Sequence, residues 1–112
     1  MQRATKARAR QARSVRADRV TTTIKREFLA AIVAGTKRIE YREIKPYWTR
    51  RLDALRIPFE LRLRNGYAKR VPEVTVLIDR IVTNKRARLY ALHIREVLSA
   101  KYWDSRLQKP TI

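Results

Sequence analysis

The sequence contains no cysteine, and it has only two glycines and one histidine among its 112 residues. Without cysteine there are no structural disulfides and no Cys-ligated zinc, which fits a reducing compartment such as the cytoplasm. Gly35 and Gly66 alone cannot supply the glycine-rich phosphate loops of P-loop or dinucleotide-binding proteins. His93 falls in a strand pattern, so a structural role is expected for it, and no Ser/His/Asp catalytic arrangement can be argued.

Acidic residues are also scarce, with 10 Asp and Glu against 28 Lys and Arg, and they are dispersed along the chain. Because no carboxylates or histidines cluster, the sequence predicts no metal site and no other cofactor. No run of 18 apolar residues is present, and no apolar segment of a secretory signal follows the basic beginning of the chain. The expected location is therefore the cytoplasm, with no membrane as a partner.

Positive charge is what the sequence has in excess, with a formal net charge of +18. A surface of this kind repels itself unless a polyanion covers part of it. A nucleic acid is therefore the predicted partner. RNA, either single-stranded or structured, is the nucleic acid that the residue patterns described below favour, alone or within a ribonucleoprotein assembly. The sequence carries no signal for an oligomeric state.

Residues 1–19 form a basic segment with a single acid, Asp18, and few large apolar side chains. Such a segment cannot bury enough surface to offset its ordering entropy, so a flexible N-terminal arm is expected. Its alanines would favour a helix on contact with phosphates. The cations predicted to contact the RNA backbone are Arg3, Lys6, Arg10, Arg13 and Arg16. A solvated tail, a transit-like segment and a mis-assigned start codon stay open as alternatives.

Residues 20–106 are predicted to form one domain, with 107–112 as a C-terminal tail. Apolar periodicity predicts a strand, a helix ending at Gly35, a second strand and a short helix beginning at Pro46. Later strands are predicted at 57–64, 74–83 and 86–94, the middle one central or bulged. Residues 95–103 fit either a helical turn or an edge strand. The predicted fold is α+β: a small β-barrel of about five or six strands with one long helix and one or two short ones.

The stretch 32–48 is expected to organise the site, because cations there bracket a carboxylate just after the helix. In the strand 38–43, Ile39 and Tyr41 are predicted to pack, while Glu40 and Arg42 lie on the charged face. Lys37 would act as a point charge on phosphate, and Arg42 offers a planar fork for bidentate contact. An ion-pair network that closes one end of the barrel is the alternative interpretation.

Aromatic residues lie among these cations, which is a typical pattern for stacking RNA bases. Tyr41 and Trp48 are nevertheless expected in the core, and Trp103 is expected to cover it. Tyr67, which follows the turn residues Asn65 and Gly66, is predicted to be exposed.

The run Gly-Thr-Lys-Arg-Ile-Glu-Tyr-Arg, residues 35–42, resembles the Gly-x-Lys-x-x-Glu-x-Arg signature of the ASCH domain family. That family belongs to the PUA-like superfamily of small β-barrels. The resemblance extends to Lys-Pro-Tyr-Trp and to Pro-Phe-Glu-Leu-Arg-Leu-Arg-Asn-Gly-Tyr, and it covers roughly residues 20–104. It implies a PUA-like barrel with a cleft beside the first helix, lined by Lys37, Glu40 and Arg42, which binds RNA or modified nucleosides.

From the pattern and the resemblance together, the predicted ligand-binding residues are Lys37, Glu40, Arg42, Lys45, Tyr47, Arg64, Asn65 and Tyr67. Some relatives implied by the resemblance are enzymes, and Lys37 and Glu40 would then be catalytic. The reaction would be a metal-independent ribonuclease or an N4-acetylcytidine amidohydrolase, although the latter branch has a threonine where this chain has Glu40. A third possibility is a structural component of a ribonucleoprotein or phage particle.

Overall fold

The computed structural model describes residues 18–111, which form two helices and seven strands. Arg3, Lys6, Arg10, Arg13 and Arg16, and with them the predicted arm as far as residue 17, lie outside the described residues. In chain order the elements are β1 (Asp18–Thr23), α1 (Arg26–Ala34), β2 (Ile39–Glu43), α2 (Pro46–Asp53), β3 (Phe59–Arg64), β4 (Glu73–Asn84), β5 (Leu89–Lys101), β6 (Trp103–Asp104) and β7 (Lys109–Pro110).

Five of the strands form one curled sheet in the order β1-β3-β4-β5-β2, which has the shape of a half-barrel. β1 pairs with β3 in parallel, and the other pairs in this sheet are antiparallel. The predicted α+β class is therefore confirmed, with five strands in the main sheet and two helices, whereas the predicted barrel is only a half-barrel because β1 and β2 do not pair. α1 has nine residues and α2 has eight, so the one long helix that the pattern predicted is a short one.

The core lies on the side of the sheet that alternate residues of β3 face. Phe59, Leu61 and Leu63 are fully buried, as the alternating pattern predicts, and their neighbours on the strand are partly exposed. From α1, Leu29 and Ile32 pack into the same cluster. Burial of side chains of this size stabilises a fold by about 1.5–3 kcal/mol each, which makes this cluster the main attraction between helix and sheet.

β4 is the middle strand of the sheet and is bulged, as its apolar residues on both parities predict. Its register with β5 shifts three times, which leaves Asp79 of β4, and Arg95 and Leu98 of β5, without a partner opposite. Bulges increase local twist, and they account for the curl of this hairpin.

The C-terminal part differs from the prediction. β5 continues without a break to Lys101, so residues 95–101 form neither a helical turn nor a separate strand. A two-stranded hairpin, β6 with β7, then follows and buries Trp103. Within residues 18–111, no helix is long and apolar enough to cross a membrane.

Candidate functional site

Glu40 is the centre of the candidate site, because it is a carboxylate only 5% exposed. The Lys37 ammonium lies 3.4 Å from its Oε1, and Arg42 Nη2 donates to its Oε2 at 2.6 Å. A buried carboxylate is costly unless cations and hydrogen bonds compensate for lost hydration. The three residues that the sequence places within six positions therefore converge, and both carboxylate oxygens are occupied.

The end of α1 fixes the position of Lys37. Gly35 adopts the left-handed conformation with a φ of 85°, and its N–H donates to Ile32 at 3.0 Å. The next two N–H groups, of Thr36 and Lys37, both donate to the carbonyl of Ala31. This is the glycine-dependent C-cap that the sequence predicts. The Lys37 side chain then turns back, and its Nζ donates to the carbonyl of Ile39 at 2.7 Å.

Arg42 joins the two edges of the sheet. β1 and β2 are the outer strands, and no backbone pairing is seen between them. Arg42 Nη2 nevertheless donates to the carbonyl of Thr23, at the end of β1, over 2.9 Å. Its guanidinium also lies 5.3 Å from the ring centre of Trp48, within range of a cation–π interaction. The half-barrel is therefore bridged by a side chain at the place where a closed barrel would be joined by backbone.

A cleft of about 480 Å³ opens at this join, and we call it the seam cleft. The residues that line it include Thr23, Lys25, Phe28, Glu40, Arg42 and Asn65, together with Tyr41. Phe28 and Tyr41 are 42% and 52% exposed, and the Lys37 ammonium lies 5.1 Å and 5.6 Å from their ring centres. Two partly exposed aromatic rings thus flank a cation, an arrangement that suits binding of a planar base beside a phosphate.

The orientation of β2 is the reverse of the prediction. Glu40 is buried and Arg42 is mostly buried, whereas Tyr41 is exposed. The expectation that Tyr41 lies in the core is therefore wrong, while those for Trp48 and Trp103 are confirmed. The physical reason is that Lys37 and Arg42 compensate the charge of Glu40, so this carboxylate can be buried with ionic partners at both of its oxygens.

Asn65 is the predicted loop residue that reaches the seam cleft. Its Nδ2 donates to the carbonyl of Ile24 at 2.9 Å, and its Oδ1 accepts from Arg26 at 3.1 Å. These bonds attach the loop after β3 to the segment that leads into α1. Tyr67, farther along the loop, is 90% exposed as predicted and does not line the cleft.

Arg64 contacts Glu73 and the loop after β3, and it does not line the seam cleft. Its Nε donates to Glu73 at 3.2 Å, and its Nη2 donates to the carbonyls of Ala68 and Lys69 at 2.8 and 3.1 Å. Arg62 binds both oxygens of the same carboxylate, at 3.0 and 2.9 Å. These hydrogen bonds, Arg62's above all, hold the pKa of Glu73 below its ordinary value of 4.5 although burial opposes the change. Arg64 thus organises the loop and does not line the seam cleft.

Lys45 and Tyr47 also lie away from the seam cleft. Lys45 forms an exposed ion pair of 2.7 Å with Glu43, and its ammonium lowers the pKa of that carboxyl. Tyr47 is half-exposed, with the Arg51 guanidinium 4.2 Å from its ring centre. Three of the predicted ligand residues, Glu40, Arg42 and Asn65, therefore line the seam cleft. Lys37 does not line it and is joined to it through its ion pair with Glu40, and the other four predicted residues lie at different surfaces.

Five residues that line the seam cleft are not among the ligand residues predicted from the sequence: Thr23, Ile24, Lys25, Phe28 and Tyr41. Phe28 stands at the margin of the apolar stripe, where a helical pattern alone cannot separate core from cleft.

Comparison with protein-family models, with curated proteins and with solved structures finds no match to this chain.

Proposed function

We propose that this protein is an RNA-binding module of the ASCH type, with a PUA-like fold, which receives a nucleotide in the seam cleft. The observation that carries the proposal is the convergence of Lys37 and Arg42 on Glu40 beside a cleft walled by Phe28 and Tyr41. Two cations against one carboxylate leave a net positive charge, and the aromatic faces supply the surface on which a base stacks.

Binding explains the arrangement better than catalysis does. Oε2 of Glu40 accepts a hydrogen bond from Arg42, and Oε1 lies 3.4 Å from the Lys37 ammonium, which itself donates to the carbonyl of Ile39. A general base needs a free lone pair within reach of its proton, and the pairing around Glu40 leaves little room for that role. The enzymatic alternatives, a metal-independent ribonuclease or an N4-acetylcytidine amidohydrolase, would require these pairs to open.

The experiment is a fluorescence anisotropy titration of the full chain with a short single-stranded RNA. Tyr41→Ala should weaken binding by roughly tenfold, because one stacked base contributes about 1–3 kcal/mol. Tyr102→Ala is the matched control, since Tyr102 is also exposed but lies between β5 and β6. Equal affinity of both variants and the parent protein would contradict the proposed cleft.

A second assay separates binding from turnover. The protein is incubated with labelled RNA, and separately with N4-acetylcytidine, in the presence of a chelator. Binding without product is the expected result. If the protein cleaved the RNA or released acetate, and Lys37→Ala abolished that activity, the protein would be one of the two enzymes and not a binding module. RNA that is bound only as part of an assembled particle would instead favour the structural role.

A further inference from the structure

A second pocket lies where the turn between β4 and β5 meets α2, and we call it the turn pocket. It has a volume of about 370 Å³ and is lined by Ile44, Thr49, Thr83, Lys85, Arg88 and Tyr90. The lining offers two cations and three hydroxyl groups but no carboxylate. Thr49 Oγ1 and the Tyr90 hydroxyl already form a hydrogen bond of 2.6 Å, which holds them at the pocket wall. Such a lining suits an oxyanion of the phosphate class.

Arg88 has an unusual backbone conformation in the turn between β4 and β5. Asn84 Oδ1 accepts from the N–H of Ala87 at 2.9 Å, and Arg88 N–H donates to Lys85 at 3.2 Å. Arg88 then adopts a φ of 60°, in the left-handed region that favours glycine. Its carbonyl accepts from Ile44 N–H at 3.0 Å, which joins the turn to the end of β2. The backbone gains nothing from an arginine here, so the charged side chain is what distinguishes this residue from glycine.

The turn pocket and the seam cleft are connected by β2. The strand contributes Glu40, Tyr41 and Arg42 to the seam cleft, and Ile44, the residue that directly follows the strand, lines the turn pocket. A further depression of about 380 Å³ adjoins the turn pocket, with which it shares Ile44 and Arg88, and it is also lined by Glu43 and Lys45. Four residues of strand span roughly 13 Å, which is about four nucleotides of stacked strand at 3.4 Å each. A short RNA can therefore reach both places at once.

We infer that the turn pocket binds a backbone phosphate of the same RNA strand that places a base in the seam cleft, with Lys85 and Arg88 as its cationic ligands. This inference rests on the proposed function and adds a second contact to it. Glu43, the carboxylate between the two places, is already paired with Lys45 at 2.7 Å, so it does not present an uncompensated negative charge to the strand.

The test compares Arg88→Gly with Arg86→Gln, two full-length variants that each lose one cation from the same turn. Arg86 does not line the turn pocket. The probes are a nucleoside monophosphate and an eight-nucleotide single-stranded RNA, each titrated over a range of salt concentrations. Since glycine suits the left-handed position, Arg88→Gly is expected to unfold at the same temperature as the parent protein or a higher one.

We expect Arg88→Gly to weaken binding of the eight-nucleotide RNA by roughly tenfold, as for loss of a hydrogen bond to a charged group. The dependence of log affinity on log salt concentration should become shallower by about 0.7, the value for one phosphate contact on a single strand. Affinity for the monophosphate should not change, because the seam cleft is intact. Arg86→Gln should have a much smaller effect on both quantities.

Three results would overturn the inference. If the two variants bind the eight-nucleotide RNA equally well and with the same salt dependence, the turn pocket is not a phosphate site. That result would leave the proposed nucleotide site in the seam cleft unaffected. If Arg88→Gly also weakens monophosphate binding, the ligand occupies one site rather than two. If the parent protein binds neither probe, the proposed function fails, and the turn pocket fails with it.

Discussion

At the scale of the residue, the fold depends on how Glu40 is compensated. Glu40→Gln keeps the shape of the side chain but leaves Lys37 and Arg42 facing a neutral amide. Because both cations are themselves about four-fifths buried, we expect the free energy of unfolding to fall by about 3 kcal/mol, the lower end of the cost of removing one partner of a buried ion pair. The measurement is urea denaturation monitored by tryptophan fluorescence, since Trp48 lies against Arg42.

Glu43→Gln is the control for this prediction. Glu43 stands three positions along the same strand and pairs with Lys45 at 2.7 Å, but both side chains are about two-thirds exposed. Ion pairs of that kind are screened by solvent and contribute little, so the variant should unfold at nearly the same urea concentration as the parent protein. If the two variants were equally stable, the buried network around Glu40 would not be a significant source of stability.

At the scale of the element, local patterns predict which segments form but not which side of a strand is buried. Gly35 and the apolar spacing before it predict the end of α1, and β3 follows its alternation residue by residue. In β2 the alternation separates Tyr41 from Glu40 correctly. Hydrophobicity alone then predicts that the side with Tyr41 is buried, which is wrong. The cations that allow Glu40 to be buried are Lys37, which precedes the strand, and Arg42, which lies on the same side of the strand as Glu40.

The candidate site shows the same division between local and distant information. Lys37, Glu40 and Arg42 are close in sequence, so their convergence could be predicted. The contact between Arg42 and Thr23 joins two residues that are 19 positions apart on the two edge strands, and it depends on the curl of the whole sheet. The turn pocket likewise combines α2 with the β4–β5 turn, a pairing that no local pattern encodes.

The pairing of β3 with β4 gives a prediction of pH dependence. Arg64 lies directly opposite Glu73, and Arg62 reaches the same carboxylate from two residues away. Because the pKa of Glu73 in the folded protein is below its ordinary value of 4.5, the stability that it contributes is present above that pH. This contribution is lost as pH falls through the folded-state pKa.

We therefore expect the loss of stability between pH 6 and about pH 3 to be larger for the parent protein than for Glu73→Gln. Urea midpoints measured at several pH values over that interval test it. Glu60→Gln is a useful comparison, since Glu60 lies on β3 and pairs with Arg19 on the exposed side of the sheet. If the urea midpoints of the parent protein and of Glu73→Gln fell in parallel with pH, the Glu73 carboxyl would have the same pKa in the folded and the unfolded protein, and the prediction would be wrong.

At the scale of the whole molecule, the charge is unevenly distributed along the chain. Six of the 28 Lys and Arg precede residue 18, whereas all 10 Asp and Glu lie at or after it. The remaining 22 cations still exceed the acids by about two to one, so residues 18–112 would attract a polyanion by themselves. The N-terminal segment concentrates positive charge without any acid, and its effect should appear in the salt dependence of binding.

The last prediction concerns this segment in the full-length protein. Replacing Arg3, Lys6, Arg10, Arg13 and Arg16 by glutamine should make the dependence of log affinity on log salt concentration shallower by up to about 3.5, since each phosphate contact on a single strand contributes about 0.7. The matched control changes five exposed arginines of the domain to glutamine: Arg56, Arg70, Arg80, Arg95 and Arg106. Both variants have the same net charge, so a diffuse field would alter their salt dependence equally. A clearly larger change in the N-terminal variant, with monophosphate affinity retained, would show that the segment contacts phosphates directly.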